Sequence, residues 1–175
     1  MNWVNYVNWT DETALPTASD PAYIRLGIIE EAHECLAAYC ALQAAIYGRE
    51  KRMLRGDPPE VLEAKAAAIA QLREQVIEEL GDLAWYVARS MRPLGYAHWP
   101  SGAGYVALWR IESMLKCCER EQEPKPTLYA SLLWYVLEFM SANVERLSLE
   151  DVLDANVKKL VARKAAGTIK GEGSR

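Results

Sequence analysis

An all-α fold, a bundle of about five helices, is the expectation for this chain, and three observations carry it. Apolar residues recur at three- and four-residue steps over long stretches, helix starts and stops punctuate those stretches, and nothing resembles a pair of strands. With 175 residues, the chain is long enough to bury a core yet within the usual size of one domain, so a single domain over 1–175 is expected.

The first segment, MNWVNYVNWTDETA, reads as irregular and aromatic. Asp20-Pro21 then opens a helix, with Asp as N-cap and Pro at the first helical position. Ile24, Ile28, Ile29, Ala32, Leu36, Tyr39 and Ile46 give it one apolar face, and it is expected to end near Gly48. Asp57-Pro58-Pro59-Glu60 has the form of a capping box, and the following run of Ala, Leu, Gln and Glu continues to the stop at Arg92-Pro93. Gly81 is the odd residue inside that run. It costs about 1 kcal/mol relative to Ala unless something approaches the backbone closely there.

Leu94 to Gly104 reads as a loop, followed by helices over about Tyr105 to Arg120 and about Thr127 to Arg146, with EQEPKP between them. Ser148-Leu149-Glu150-Asp151 caps a last helix that ends near Gly167. LAWYV at Leu83 to Val87 recurs as LLWYV at Leu132 to Val136, an echo of a degenerate duplication or of two similar amphipathic helices. The positions that match Glu79 and Asp82 in the second copy are Leu128 and Ser131.

A hydrophobic content of 51% with 25% charged residues places the chain among ordinary soluble globular proteins. The net charge of −4 argues against a general affinity for nucleic acid polymers or anionic membranes. From Asn156 onward the balance reverses, with Lys158, Lys159, Arg163, Lys164, Lys170 and Arg175 against Glu172 alone, so the last segment is a basic patch. No stretch approaches the roughly 18–20 apolar residues of a membrane span, and there is no basic start followed by an apolar run. A cytoplasmic protein is expected. Cys35, Cys40, Cys117 and Cys118 have no zinc or disulfide-framework spacing and read as reduced thiols packed in helices.

Chemistry concentrates in acidic residues. Glu30, Glu31 and Glu34 lie on the first long helix, and Glu78, Glu79 and Asp82 on the second. Residues three or four apart share a helix face, so Glu31 meets Glu34 and Glu79 meets Asp82. If the two faces are apposed in a bundle, their mutual repulsion demands a cation, and an all-oxygen donor set suits Mg²⁺, with Mn²⁺ as a substitute. Solvated glutamates on ordinary amphipathic helices are the simpler alternative. A di-iron carboxylate bundle is another, since Glu30 and His33 form one E-x-x-H step, although His98 follows Gly95 at the corresponding spacing and forms no second step. Asn156, Lys159 and Arg163 fall on one face of the last helix.

Taken together, EEAHE at Glu30 to Glu34, EELGDLAWYVA at Glu78 to Ala88 and DANVKKLVARKAAGTIKGEGSR at Asp154 to Arg175 resemble the E-E-x-x-E, E-x-x-D and N-x-x-K-L-x-x-R segments, the last with a G-x-G tail, of the MazG-like nucleoside triphosphate pyrophosphohydrolases. The resemblance covers 20–48, 75–92 and 148–175. It leaves an inserted or degenerate-repeat helical region at about 94–148, and the step from Glu34 to Glu79 is longer than in compact members.

The resemblance implies a bundle completed by dimerisation and Mg²⁺-dependent cleavage of a nucleoside or deoxynucleoside triphosphate to the monophosphate and pyrophosphate. It assigns Glu31, Glu34, Glu79 and Asp82 as metal ligands and Glu30 as a ligand, a neighbour of the ligands or a base. It further assigns Asn156, Lys159 and Arg163 to the phosphates. Trp3, Tyr6 and Trp9 are candidates for a base pocket, while Trp85 and Tyr86 read as core or interface aromatics. A non-catalytic helical interaction protein is the alternative outside enzymology.

Overall fold

The structure, a computed structural model, describes residues 1–14, 16–94, 108–121, 125–141 and 147–168. The described residues contain no strand and six α-helices: α1 (Trp3–Trp9), α2 (Pro21–Leu54), α3 (Pro59–Met91), α4 (Leu108–Arg120), α5 (Pro126–Ser141) and α6 (Leu149–Ala165). None of these helices is long and apolar enough to cross a membrane. The expected start of one helix at Tyr105, the expected end of the next at Arg146, His98, the middle of EQEPKP and the chain from residue 169 lie outside the described residues.

Two helices dominate. Asp20 caps α2 by accepting a hydrogen bond from the Ala22 N–H (2.8 Å), and Pro21 occupies its first turn as expected. The helix does not stop at Gly48 but continues to Leu54, a length of about 50 Å at 1.5 Å per residue. Its stop is at Gly56, whose φ of +74° is one that glycine adopts without steric cost. There Gly56 N–H bonds Met53 O (3.1 Å) and Asp57 N–H bonds Arg52 O (3.2 Å), the paired closure of a Schellman end.

Asp57 does not cap α3. Its carboxylate accepts from Arg52 Nη1 (2.9 Å), and Pro58, with no side-chain hydrogen bond, stands at the N-cap position instead. α3 then runs unbroken for 33 residues and packs back along α2.

This antiparallel hairpin is anchored at one end only. The buried positions of α2 run from Ile24 to Leu42 and those of α3 from Ile69 to Met91. Between them no residue is buried, and Leu54 at the tip is 89% exposed. The two helices therefore project as an arm beyond the core.

α5 fills the other side of the anchored part. Tyr129, Leu132, Leu133, Val136 and Met140 are fully buried, and the helix packs on α2, α3 and α4. The LAWYV/LLWYV echo thus marks equivalent core faces: Leu83, Ala84 and Val87 on α3, and Leu132, Leu133 and Val136 on α5, are all buried. The echo carries no second acidic site, since Ser131 spends its hydroxyl on Thr127 O (2.9 Å).

The N-terminal segment is not irregular. Asn2 caps α1 by accepting from Asn5 N–H, and Trp3, Tyr6 and Val7 are buried. Seven residues are too few to hold a helix in isolation, so its packing on α3 and α6 sustains it. A 3-10 turn over Thr10–Glu12 follows, tied to α3 where Asp11 accepts from Arg89 and from Arg92 Nε (2.9 Å). Trp85 Nε1 adds a bond to Thr13 Oγ1 (3.1 Å).

α6 closes the layer against α3. Ser148 Oγ accepts from the Asp151 N–H (3.2 Å), and Gly167 takes φ +66° as the helix ends, both as expected.

Candidate metal centre

The hairpin register places the acids. Glu34 lies 22 residues before Gly56 (56 minus 34) and Glu79 lies 22 after Asp57 (79 minus 57). The same count is 25 for Glu31 and Asp82, and 29 for Gly27 and Tyr86. Antiparallel helices of equal rise joined by a short turn bring such equidistant residues opposite one another. The third pair verifies the register directly, because a Cβ built on Gly27 would lie 2.3 Å from the Tyr86 ring.

Carboxylate oxygens of Glu31, Glu34 and Glu79 all lie within 4.8 Å of one another, and each residue is half-buried. Burial, then the charges of Asp82, Glu34 and Glu79, push the Glu31 carboxyl up to about 8. Glu79 is raised as well, first by burial and then by Glu34 and Asp82, against the opposing pull of Lys159 and a hydrogen bond from Gln75. A proton on Glu31 or a bound cation relieves such a cluster. Beneath it Cys35 is fully buried, its thiol pushed up by burial and by the four carboxylates.

Asp82 does not join the three glutamates. Its Oδ1 accepts from Asn156 Nδ2 (3.0 Å) and its Oδ2 from Lys159 Nζ (2.5 Å), so α6 supplies one neutral and one cationic donor. Asn156 is 1% exposed and itself receives the Tyr6 hydroxyl on its Oδ1 (2.7 Å). Gly81 makes this approach possible: a Cβ there would lie 2.8 Å from Asn156 Cβ and 2.9 Å from its Nδ2. Helix propensity favours Ala over Gly by about 1 kcal/mol, whereas overpacking a close contact costs about 1–3 kcal/mol. Gly81→Ala is therefore expected to destabilise the protein in urea unfolding, and a net gain in stability would show that α6 yields easily.

The remaining candidates separate. Glu30 is exposed and outside the three-carboxylate group. Arg163, one turn beyond Lys159, is exposed as well, so the α6 face passes from buried Asn156 to half-buried Lys159 to solvent. His33 Nε2 stands 3.5 Å from Glu119 Oε1 on α4 and takes no part in the group, which removes the single E-x-x-H step on which a di-iron reading rests.

Trp3 and Tyr6, at 4% and 0% exposure, are closed to a nucleotide base, and Trp9 packs against Tyr6 with ring centroids 5.9 Å apart. Sequence reading misplaced Tyr6 because its partner, Asn156, is 150 residues away. Trp85 and Tyr86 are half-buried, and the Tyr86 hydroxyl lies 3.2 Å from that of Tyr23 beside Gly27.

The donor set fits a hard divalent cation. Three carboxylates from two helices, with a fourth at their edge, offer oxygen alone, and Glu31 and Glu79 are raised first by burial and then by the charges of their acidic neighbours. No family model, no curated protein and no solved structure matches the chain.

Proposed function

We propose that this chain is a MazG-like pyrophosphohydrolase that cleaves a nucleoside or deoxynucleoside triphosphate between the α- and β-phosphates, giving the monophosphate and pyrophosphate. The observation that carries the reading is the meeting of Glu31, Glu34 and Glu79 from two helices, with Asp82 and Lys159 at their edge. Glu31, Glu34, Glu79 and Asp82 hold Mg²⁺, or Mn²⁺ in its place. The bound ion supplies neutralisation of polyphosphate charge and a more acidic water.

The protein's own groups do the rest. Lys159 offers an ammonium on a flexible stem that can pass from Asp82 to a phosphate oxygen, and Arg163 extends the cationic face toward solvent. Asn156, fixed and buried, adds a directional donor beside them. A carboxylate of the cluster that is not fully engaged by the ion, or Glu30 beside it, takes the proton of the attacking water. The water oxygen forms the new bond to the α-phosphorus, and the bond to the pyrophosphate oxygen breaks in line. A homodimer or higher homo-oligomer is the proposed assembly, and nucleotide housecleaning or control of deoxynucleotide pools the proposed role.

The test is product analysis over a panel of common and modified nucleoside triphosphates with Mg²⁺ or Mn²⁺. Monophosphate and pyrophosphate in equal amounts is the expected result. Orthophosphate release, or no turnover of any nucleotide by folded protein, overturns the assignment.

A further inference from the structure

The deepest polar link to the acidic cluster comes from the N-terminal helix. Tyr6 is fully buried, and its hydroxyl reaches Asn156 Oδ1 at 2.7 Å, with Gly81 O a second and weaker acceptor at 3.4 Å. Burial, followed by the nearby charge of Asp82, holds the phenol well above its ordinary range, so it stays protonated and donates. A primary amide has one acceptor oxygen and one donor nitrogen. With its oxygen engaged by Tyr6, the Asn156 amide must turn its NH₂ toward Asp82 Oδ1.

The two oxygens of Asp82 are then unequal: Oδ1 is held by a rigid, 1%-exposed amide, and Oδ2 by an ammonium on a four-carbon stem that can leave. We infer that Tyr6 is a positioning residue of the cation site, acting through Asn156 to fix the Asp82 carboxylate so that it presents one exchangeable oxygen to the metal. This inference rests on the metal centre proposed above. It gives α1 a role that its apolar packing alone does not, since Phe at position 6 would fill the same space.

Groups that orient a metal ligand without touching the metal cost about 10–100-fold in affinity when removed. The experiment is a titration of the full chain with Mn²⁺ alone, without nucleotide, with free Mn²⁺ read by electron paramagnetic resonance and folding checked by circular dichroism. Tyr6→Phe is expected to weaken Mn²⁺ binding about tenfold, and Asn156→Leu to do the same, with helical content unchanged.

In an Asp82→Asn background, where the three glutamates still bind Mn²⁺ more weakly, Tyr6→Phe is expected to add no further loss. Wild-type affinity in Tyr6→Phe, or an equal loss in both backgrounds, overturns the inference, because a purely structural contribution would act whether or not Asp82 is present. Because nucleotide is absent, failure of the proposed hydrolysis and failure of this positioning role are separate results.

Discussion

Glu79→Gln is expected to lower pyrophosphate release by about three orders of magnitude while making the cation-free protein more stable. Loss of about 4 kcal/mol of transition-state stabilisation corresponds to that rate, and it is the scale expected when one anionic ligand is taken from a metal that neutralises phosphate charge. The opposite sign for stability follows from the metal-free cluster. Glu79 suffers burial first and then the repulsion of Glu34 and Asp82, and it gains attraction from Lys159; its carboxyl is shifted upward, so the net environment disfavours the charged form. The group is partly exposed, so solvent screening keeps the gain modest. Urea unfolding in EDTA beside an activity assay reads both signs at once. Retained turnover with lost stability would make the cluster a structural device.

A second large effect is expected from pH and cation together. Glu31 has an ordinary value of 4.5 and a folded value of about 8, so between these the folded protein binds the extra proton. Its contribution to stability is fully present below the unfolded value and is lost as pH rises through about 8. In EDTA, the melting temperature should therefore fall as pH increases across this window. A divalent cation bound to the ionised cluster removes the penalty, so its stabilisation should be larger at pH 8 than at pH 6. At 100 times Kd a ligand contributes about 2.7 kcal/mol, a rise of about 5–10 °C for a chain of this size. Melting curves with and without Mg²⁺ at the two pH values decide the matter. Equal increments at both would mean that the cation does not bind at Glu31.

Much of this was legible from residues because it depends on local rules and on counting. Asp20, Ser148 and Gly167 act at helix ends as their chemistry dictates, and the 22-residue spacings from Gly56 to Glu34 and from Asp57 to Glu79 follow from numbering once a hairpin is assumed. What escaped depends on partners far away in the chain. Gly48 does not end α2: as a single glycine it is a tolerable cost in a helix sustained by packing along α3. Asp57 abandons its capping position for Arg52, because the Schellman turn at Gly56 brings that guanidinium to it.

Asp82 illustrates the same limit within the site. Its i,i+3 step from Glu79 places it on the correct face of α3, yet which cation it meets is decided by α6, through Lys159 and Asn156. α1 was missed because seven residues, three aromatic, two Asn and two Val, carry almost no helical signal of their own. Arg163 shares the periodicity of Asn156 and Lys159, but the last turns of α6 leave the body of the protein before that side chain can be buried.

The projecting arm imposes a rule of matched lengths. Every residue inserted into or removed from α2 between Glu34 and Gly56 slides the carboxylates of that helix by 1.5 Å relative to Glu79 and rotates them by about 100°. Only an equal change on α3, in near-whole turns on both helices, restores the meeting of the acids. Growth or shortening of the arm by a pair of seven-residue blocks turns each helix by only about 20° and leaves the centre essentially in place. The tip is thus a place where length can vary without chemical consequence, whereas a single unpaired residue in either limb separates Glu34 from Glu79.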